Sequence, residues 1–190
     1  MNIVEMPWSS PLQPYRFREY KAVLVASFTS KAGRVLEVGC GPGRYASFSK
    51  AEDYVGVDIG WSPDVRASAV ALPFRDGCFD RVVMMDVIEH VADVDRVLSE
   101  CWRVLRTGGL LMILTPNTLG FGVYDSFADP THIHHFTWHS LERRFLSHGI
   151  HVLARIPLHL HIAWPLKHLR SGRLIYLQQS ICLLGVKKDG

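Results

Sequence analysis

Apolar residues along this chain fall into short unbroken runs that alternate with stretches of helical spacing. The runs Arg34 to Val38, Tyr54 to Val57, Ala67 to Val70, Arg81 to Met85 and Leu110 to Thr115 read as strands, the fourth apolar enough to be buried on both faces. Between Tyr15 and about Thr29, Phe17, Tyr20, Val23, Leu24 and Phe28 recur with a helical period. Tyr45 to Lys50 reads as a short helix. Asp93 reads as the N-cap of a helix with Val94, Val97, Leu98, Cys101 and Leu105 on one face and Gly108 as its stop. Thr137 caps another, with Leu141, Phe145 and Leu146 inward and Gly149 at its end. Ile150 to Ile156 and Ile181 to Val186 are the sixth and seventh strands. Strands alternating with helices at this spacing predict an α/β fold with a mostly parallel sheet covered on both faces. The 190 residues are read as one domain, with an N-terminal helical segment over 1–33, a core over 34–156, and an insertion and final strand over 157–190. The regularity lapses for about twenty residues after Thr115, a connection long enough to suggest function.

One junction carries chemistry. Val35-Leu36-Glu37-Val38 runs into Gly39-Cys40-Gly41-Pro42-Gly43, and the next strand ends at Asp58. Glycines at alternate positions let the backbone turn sharply and lie against a ligand, and a carboxylate at the next strand end is spaced to meet a ribose diol. In the dinucleotide fingerprint the third glycine comes three residues after the second; here it comes two after, and Pro42 removes an amide that a phosphate would use. The pattern predicts an adenosine-bearing cofactor without phosphates.

In these residues the chain resembles the class I S-adenosylmethionine-dependent methyltransferases, in particular their small single-domain, type 11-like members. Val35 to Tyr45 is similar to the first motif of that family and Val55 to Ile59 to its acidic second strand. The likeness continues through Ala71 to Asp80, Met84 to Val91, Arg103 to Gly109, and the late loop Asp129-Pro130-Thr131-His132 with Phe136-Thr137. The resemblance implies a Rossmann-like, doubly wound, seven-stranded sheet, its last strand antiparallel between the fifth and sixth. It implies S-adenosyl-L-methionine as cofactor, S-adenosyl-L-homocysteine as product, and methyl transfer to an oxygen, nitrogen or carbon nucleophile.

The expected cofactor residues follow. Asp58 accepts both ribose hydroxyls. Gly39, Cys40, Gly41 and Gly43 bring the backbone against the methionine portion, and Glu37 holds the loop or the cofactor's ammonium. Asp86 and Val87 open onto the cofactor by resemblance, and Ile59 and Leu72 sandwich the adenine. Many relatives read the adenine amino group with an acidic residue, but this chain has Ser68 or Ala69, then Val70, at that place. Among His132, His134 and His135, His132 is the preferred acceptor-side base, with His135 beside it and Asp129 as an orienting carboxylate. No further ligand stands at a recognisable spacing from these histidines, so no metal is expected. Phe121, Tyr124 and Phe127, with Trp164 and Tyr176, are candidate pocket aromatics.

Composition narrows the partners. Twenty-one Lys and Arg against eighteen Asp and Glu give only +3, without a basic stripe interleaved with aromatics, so nucleic acid is not expected. The apolar C-terminal third favours a small-molecule, lipid or sugar-containing acceptor. Its uncharged runs are shorter than the ~20 residues a membrane crossing needs, which leaves peripheral membrane contact as an option. Four scattered cysteines and an N-terminus without a secretory pattern suggest reduced thiols and a cytoplasmic address. Two alternatives use the same residues: a non-catalytic binder of the same fold, and a nicotinamide-dependent reductase.

Overall fold

The computed structural model describes residues 17–121, 123–156 and 176–188, with the side chains of 17–19 outside that description. Helix α1 (Phe17–Thr29) precedes β1 (Arg34–Val38), β2 (Asp53–Asp58), β3 (Val65–Arg66) and β4 (Phe79–Met85). Then come α2 (Val94–Val104), β5 (Leu105–Pro116), α3 (Val123–Ala128), α4 (Trp138–Ser147), β6 (Ile150–Arg155) and β7 (Ser180–Lys187). The seven strands form one sheet in the order β3-β2-β1-β4-β5-β7-β6. Strands β1 to β5 pair in parallel, and β7 lies antiparallel between β5 and β6. This is the expected Rossmann-like, doubly wound architecture.

Period-two alternation divides the strands between two cores. Leu36, Val38, Val82, Met84, Leu111 and Ile113 face one way and pack with Val97, Leu98 and Cys101 of α2 and Trp138, Leu141 and Phe145 of α4. Val35, Val83, Met85, Met112 and Leu114 face the other way and pack with Tyr20, Leu24, Val25 and Phe28 of α1. Both faces are therefore apolar and covered. Burial of each such side chain is worth roughly 1.5–3 kcal/mol. Gly185 of β7 is required by close approach, because a Cβ there would stand 2.4 Å from Ile150 Cγ2 and 2.9 Å from the Phe145 ring.

Several expected boundaries move. Strand β3 covers only Val65–Arg66, and Ala67 to Val70 form an extended segment and a turn instead. The Tyr45 to Lys50 helix is a single 3-10 turn over Ala46–Phe48. Helix α2 begins at the Asp93 cap as expected, the Asp93 carboxylate accepting from Arg96 N, but it ends at Val104. Gly108, at φ +73, lies in an irregular stretch of β5 between the pairs Phe79/Leu105 and Arg81/Leu110, where the strand carries extra residues. On α4 the Thr137 cap is present with its full capping box, yet Leu146 points outward at 57% exposure and Trp138 fills the inner face. The start of the first helix at Tyr15, Trp164 and most of the 157–178 insertion lie outside the described residues.

Candidate active site

The carboxyl ends of β1, β2 and β4 meet at one crevice. At its centre the glycine turn is fastened to β2: the amides of Gly39 and Cys40 both donate to Val57 O, at 2.8 and 3.0 Å. The amide of Gly41 donates to Asp58 Oδ2 at 2.8 Å, and that of Gly60 to Asp58 Oδ1 at 2.8 Å. A carboxylate offers about four lone-pair sites, so these bonds orient Asp58 while leaving a pair for a diol. Gly39 sits at φ +73, and a Cβ there would come within 2.3 Å of Val87 Cγ2. Its glycine is thus demanded by conformation and by contact together.

Val87 reaches that position because Asp86, at the end of β4, adopts φ +55, a left-handed conformation uncommon for a side-chain-bearing residue. The Asp86 carboxylate is ion-paired with Lys21 of α1, which brings the N-terminal helix to the site. Glu37 is fully buried, and among the described residues its Oε2 has no hydrogen-bond partner. Burial pushes its carboxyl up to about 7; the Tyr54 hydroxyl offsets part of the rise and the Asp58 charge adds to it.

Beside this turn opens a cleft of about 720 Å³. Gly39, Asp58, Ile59, Ser68, Ala69, Val70, Asp86 and Val87 line it, as do Trp61, His90 and Asp93. Among the described residues no Lys or Arg lines it, while three carboxylates do. Ile59 and Trp61 present 72% and 68% of their surface, a ready apolar clamp for a planar ring. Glu37, Cys40, Gly41, Gly43 and Leu72 stand outside the lining. Leu72, expected at the adenine, is buried in the core, its amide donating to Glu100 Oε2 at 2.8 Å. Cys40 is also buried, its sulfur filling the space above Gly56. No acid replaces Ser68, whose hydroxyl accepts from Val70 N at 3.4 Å.

A second cavity of about 600 Å³ adjoins the first and shares Asp86 and His90 with it. Lys21, Glu89, Asp125, Asp129, His132 and Gln179 also line it. The connection after β5 builds this cavity by folding back on the chain. Asn117 Nδ2 donates to the carbonyls of Tyr176 and Gln178 at 3.0 and 2.8 Å, and the amides of Ile133 and His134 both donate to Glu89 O. His90 Nδ1 lies 3.1 Å from Thr131 O and 3.0 Å from its hydroxyl. His132 Nδ1 lies 3.0 Å from Ser126 O, and its Nε2 is 3.8 Å from Asp129 Oδ2. Two hydrogen bonds from Thr131 hold the Asp129 carboxyl below the usual carboxylate range. Glu89 is buried, accepts from Thr115 Oγ1 at 2.9 Å, and is pushed up to about 7 by burial, with the Asp86 charge adding to it.

His135 lies outside this cavity. Its Nδ1 is 3.0 Å from Ser126 Oγ and its ring stacks on Phe127 at 4.1 Å, so it braces the loop. Phe121, Tyr124, Phe127 and Tyr176 are exposed and line neither cavity. Sequence reasoning assigned no role to Lys21, Trp61, Glu89 or Gln179. Glu89 stood inside a recognised motif and Trp61 three residues after Asp58, whereas Lys21 and Gln179 carried no local signal.

Residues 36–113 match the family model described as a methyltransferase domain. A protein of Mycolicibacterium smegmatis named as a probable S-adenosylmethionine-dependent methyltransferase is 37% identical over 122 residues, covering 56% of this chain and 48% of its own length. Over these residues the chain is similar to S-adenosylmethionine-dependent methyltransferases. It spans about half the length of the curated relatives it matches. The solved structure of geranyl diphosphate methyltransferase in complex with S-adenosylmethionine shares the methyltransferase fold with a TM-score of 0.69 at 14% identity, over 88% of this chain and 84% of that one. A [4+2]-cyclase, SpnF, also shares it, with a TM-score of 0.65 at 17% identity over 90% and 82%. At these identities the likeness is one of fold, and a methyltransferase fold does not by itself fix the reaction.

Proposed function

We propose that this chain holds S-adenosylmethionine in the cleft beside Gly39 and Asp58 and transfers its methyl group to an oxygen, nitrogen or carbon nucleophile seated in the adjoining cavity. The observation that carries this reading is the pair of cavities joined at Asp86 and His90, the first acidic and without a lysine or arginine in its described lining. A cationic sulfonium and ammonium suit such a cleft, whereas a pyrophosphate would meet the carboxylates of Asp58 and Asp93, with Asp86 already paired to Lys21 and no lysine or arginine in the described lining. That contrast disfavours a nicotinamide cofactor.

Asp58, already oriented by two amides, receives the ribose diol; Ile59 and Trp61 cover the adenine; and Ser68 to Val70 bound its edge. The Gly39 to Gly43 turn shapes the methionine end, and Glu37, buried with a spare oxygen, stands behind it for the ammonium. The bound cofactor supplies an activated methyl on a positive sulfur. The protein's task is then alignment, and holding a nucleophile in line and in contact supplies much of the rate. His132 faces the acceptor cavity and is the candidate base, Asp129 orients it, and His135 positions the loop that carries it. The acceptor is a small molecule, lipid or sugar-containing compound. Four free cysteines, three of them buried, fit a cytoplasmic setting.

Calorimetric titration with S-adenosylhomocysteine tests the reading. Saturable binding of one equivalent is expected. Absence of heat and of any thermal shift, or displacement of the ligand by NADH, would overturn it.

A further inference from the structure

The histidine-rich loop looks different in three dimensions than along the chain. Sequence spacing groups His132 with His134 and His135, and that set lacks the ligands a metal needs. The fold groups His132 with Glu89 and His90 instead, and one ligand atom from each of these three lies within 4.8 Å of the others. From these three side chains we infer a binding site for one divalent transition-metal ion in the acceptor cavity.

Four observations support the site. First, the side chains are two imidazoles and a carboxylate, a facial set that binds first-row divalent ions and leaves open positions for other ligands. Second, Glu89 is 1% exposed and lines the cavity, yet among the described residues its Oε1 has no hydrogen-bond partner. A buried carboxylate oxygen without a partner is costly, and a cation would satisfy it.

Third, both imidazoles are already oriented through Nδ1, His132 by Ser126 O and His90 by Thr131 O. A ring that donates its Nδ1 proton to a carbonyl presents Nε2 as a lone pair, which is how proteins prepare histidine ligands. Fourth, the backbone fixes the pieces. Ile133 and His134 donate their amides to Glu89 O, clamping the loop to the 3-10 turn at Ile88–His90, and Thr115 Oγ1 donates to the other oxygen of Glu89. Ligand atoms around a bound ion of this kind stand roughly 3–4 Å apart, so closure asks for about an ångström of side-chain adjustment.

The ion's place in the second cavity, with His90 also lining the cofactor cleft, suggests its use. An acceptor hydroxyl bound at an open position would lose its proton to solvent more readily, the electron pair staying on oxygen as the nucleophile. This deepens the functional reading above and rests on it for the role in methyl transfer; with the ion bound, His132 serves as a ligand through Nε2 and not as the base, and the ion's acidification of the bound hydroxyl takes the base's place. Metal binding itself does not depend on that reading. The acceptor class it favours is one that presents an oxygen donor.

Cobalt(II) added alone to the full-length, metal-stripped protein gives the test, followed by the visible absorption of the bound ion and by calorimetry. One equivalent is expected to bind in the micromolar range. Glu89→Gln and His132→Gln should each weaken it about 10–100-fold or more, and His151→Ala, on an exposed strand position, should leave it unchanged. S-adenosylhomocysteine affinity measured on the same preparations shows whether each variant is folded, and separately whether the cofactor reading stands. Binding weaker than millimolar in the wild-type protein, or affinity unmoved by Glu89→Gln and His132→Gln in variants that keep their cofactor affinity, would overturn the metal site whatever the cofactor result.

Discussion

The two cavities were built in opposite ways. The cofactor cleft is local: a glycine turn, a strand end and a short segment after each of two strands supply most of its lining, and backbone amides hold them in place. The acceptor cavity draws Lys21 from α1, Glu89 and His90 from the turn after β4, Asp129 and His132 from the late loop, and Gln179 from the residues before β7. One is a property of short stretches of chain; the other exists only once the sheet has formed. Substitutions should therefore be severe and cofactor-specific in the first, and milder and acceptor-specific in the second.

Gly39→Ala is the harshest test of that contrast. The new Cβ meets Val87 at 2.3 Å and the residue must hold φ +73, costs that sum to roughly 2–5 kcal/mol. Loss of measurable S-adenosylhomocysteine binding by calorimetry is expected, and near wild-type affinity would show that the turn does not shape the cleft. Asp58→Ala comes next. It removes the acceptor of two backbone amides and the proposed diol contact, worth about 3 kcal/mol together, or roughly 100-fold in cofactor affinity.

How much could be read from the chain follows the same division. Arg34–Val38 was placed to the residue, and the antiparallel final strand was assigned its correct neighbours. Period-two and helical spacing are decided by neighbours a few positions away. Ala67 to Val70 failed as a strand because an apolar run fixes burial and not backbone geometry; those residues turn at the cleft edge. Leu72, expected beside the adenine, lies buried, its amide and side chain serving the core beneath α2. The meeting of Glu89, His90 and His132 had no local signature, because a clamp between two loops distant in sequence creates it.

Glu37 sharpens the comparison through pH. Its carboxyl titrates at about 7 in the folded protein against an ordinary 4.5, because burial disfavours the charge. The folded state therefore binds more protons than the unfolded state between those values. Stability from this group is fully present below about 4.5, falls as pH rises, and is lost once pH passes about 7. The penalty above that point is on the order of 3 kcal/mol. Glu37→Gln should flatten the dependence of urea-unfolding stability between pH 5 and about 8, and make the ligand-free protein more stable at the upper end, while weakening the cofactor. An unchanged slope would mean that Glu37 ionises in the folded state as it does in water.

The smallest effect should come from the acceptor side, at Asn117. Its side chain is fully buried, its amide donates to two carbonyls of the segment before β7, and its Oδ1 accepts from Leu119 N at 3.2 Å. Gly120 packs against the same segment so closely that a Cβ would stand 2.3 Å from Gln178 O. Asn117→Ala removes the two hydrogen bonds that its amide gives to those carbonyls and costs roughly 1–3 kcal/mol, which loosens the loop that carries Asp125, Asp129 and His132. None of these bonds touches Asp58 or the glycine turn. Cofactor affinity should then stay within about twofold, while amide hydrogen exchange accelerates across 117–137. Faster exchange in the glycine turn as well, or a tenfold loss of cofactor affinity, would mean that the two cavities form one cooperative unit and that the division between local and assembled halves is wrong.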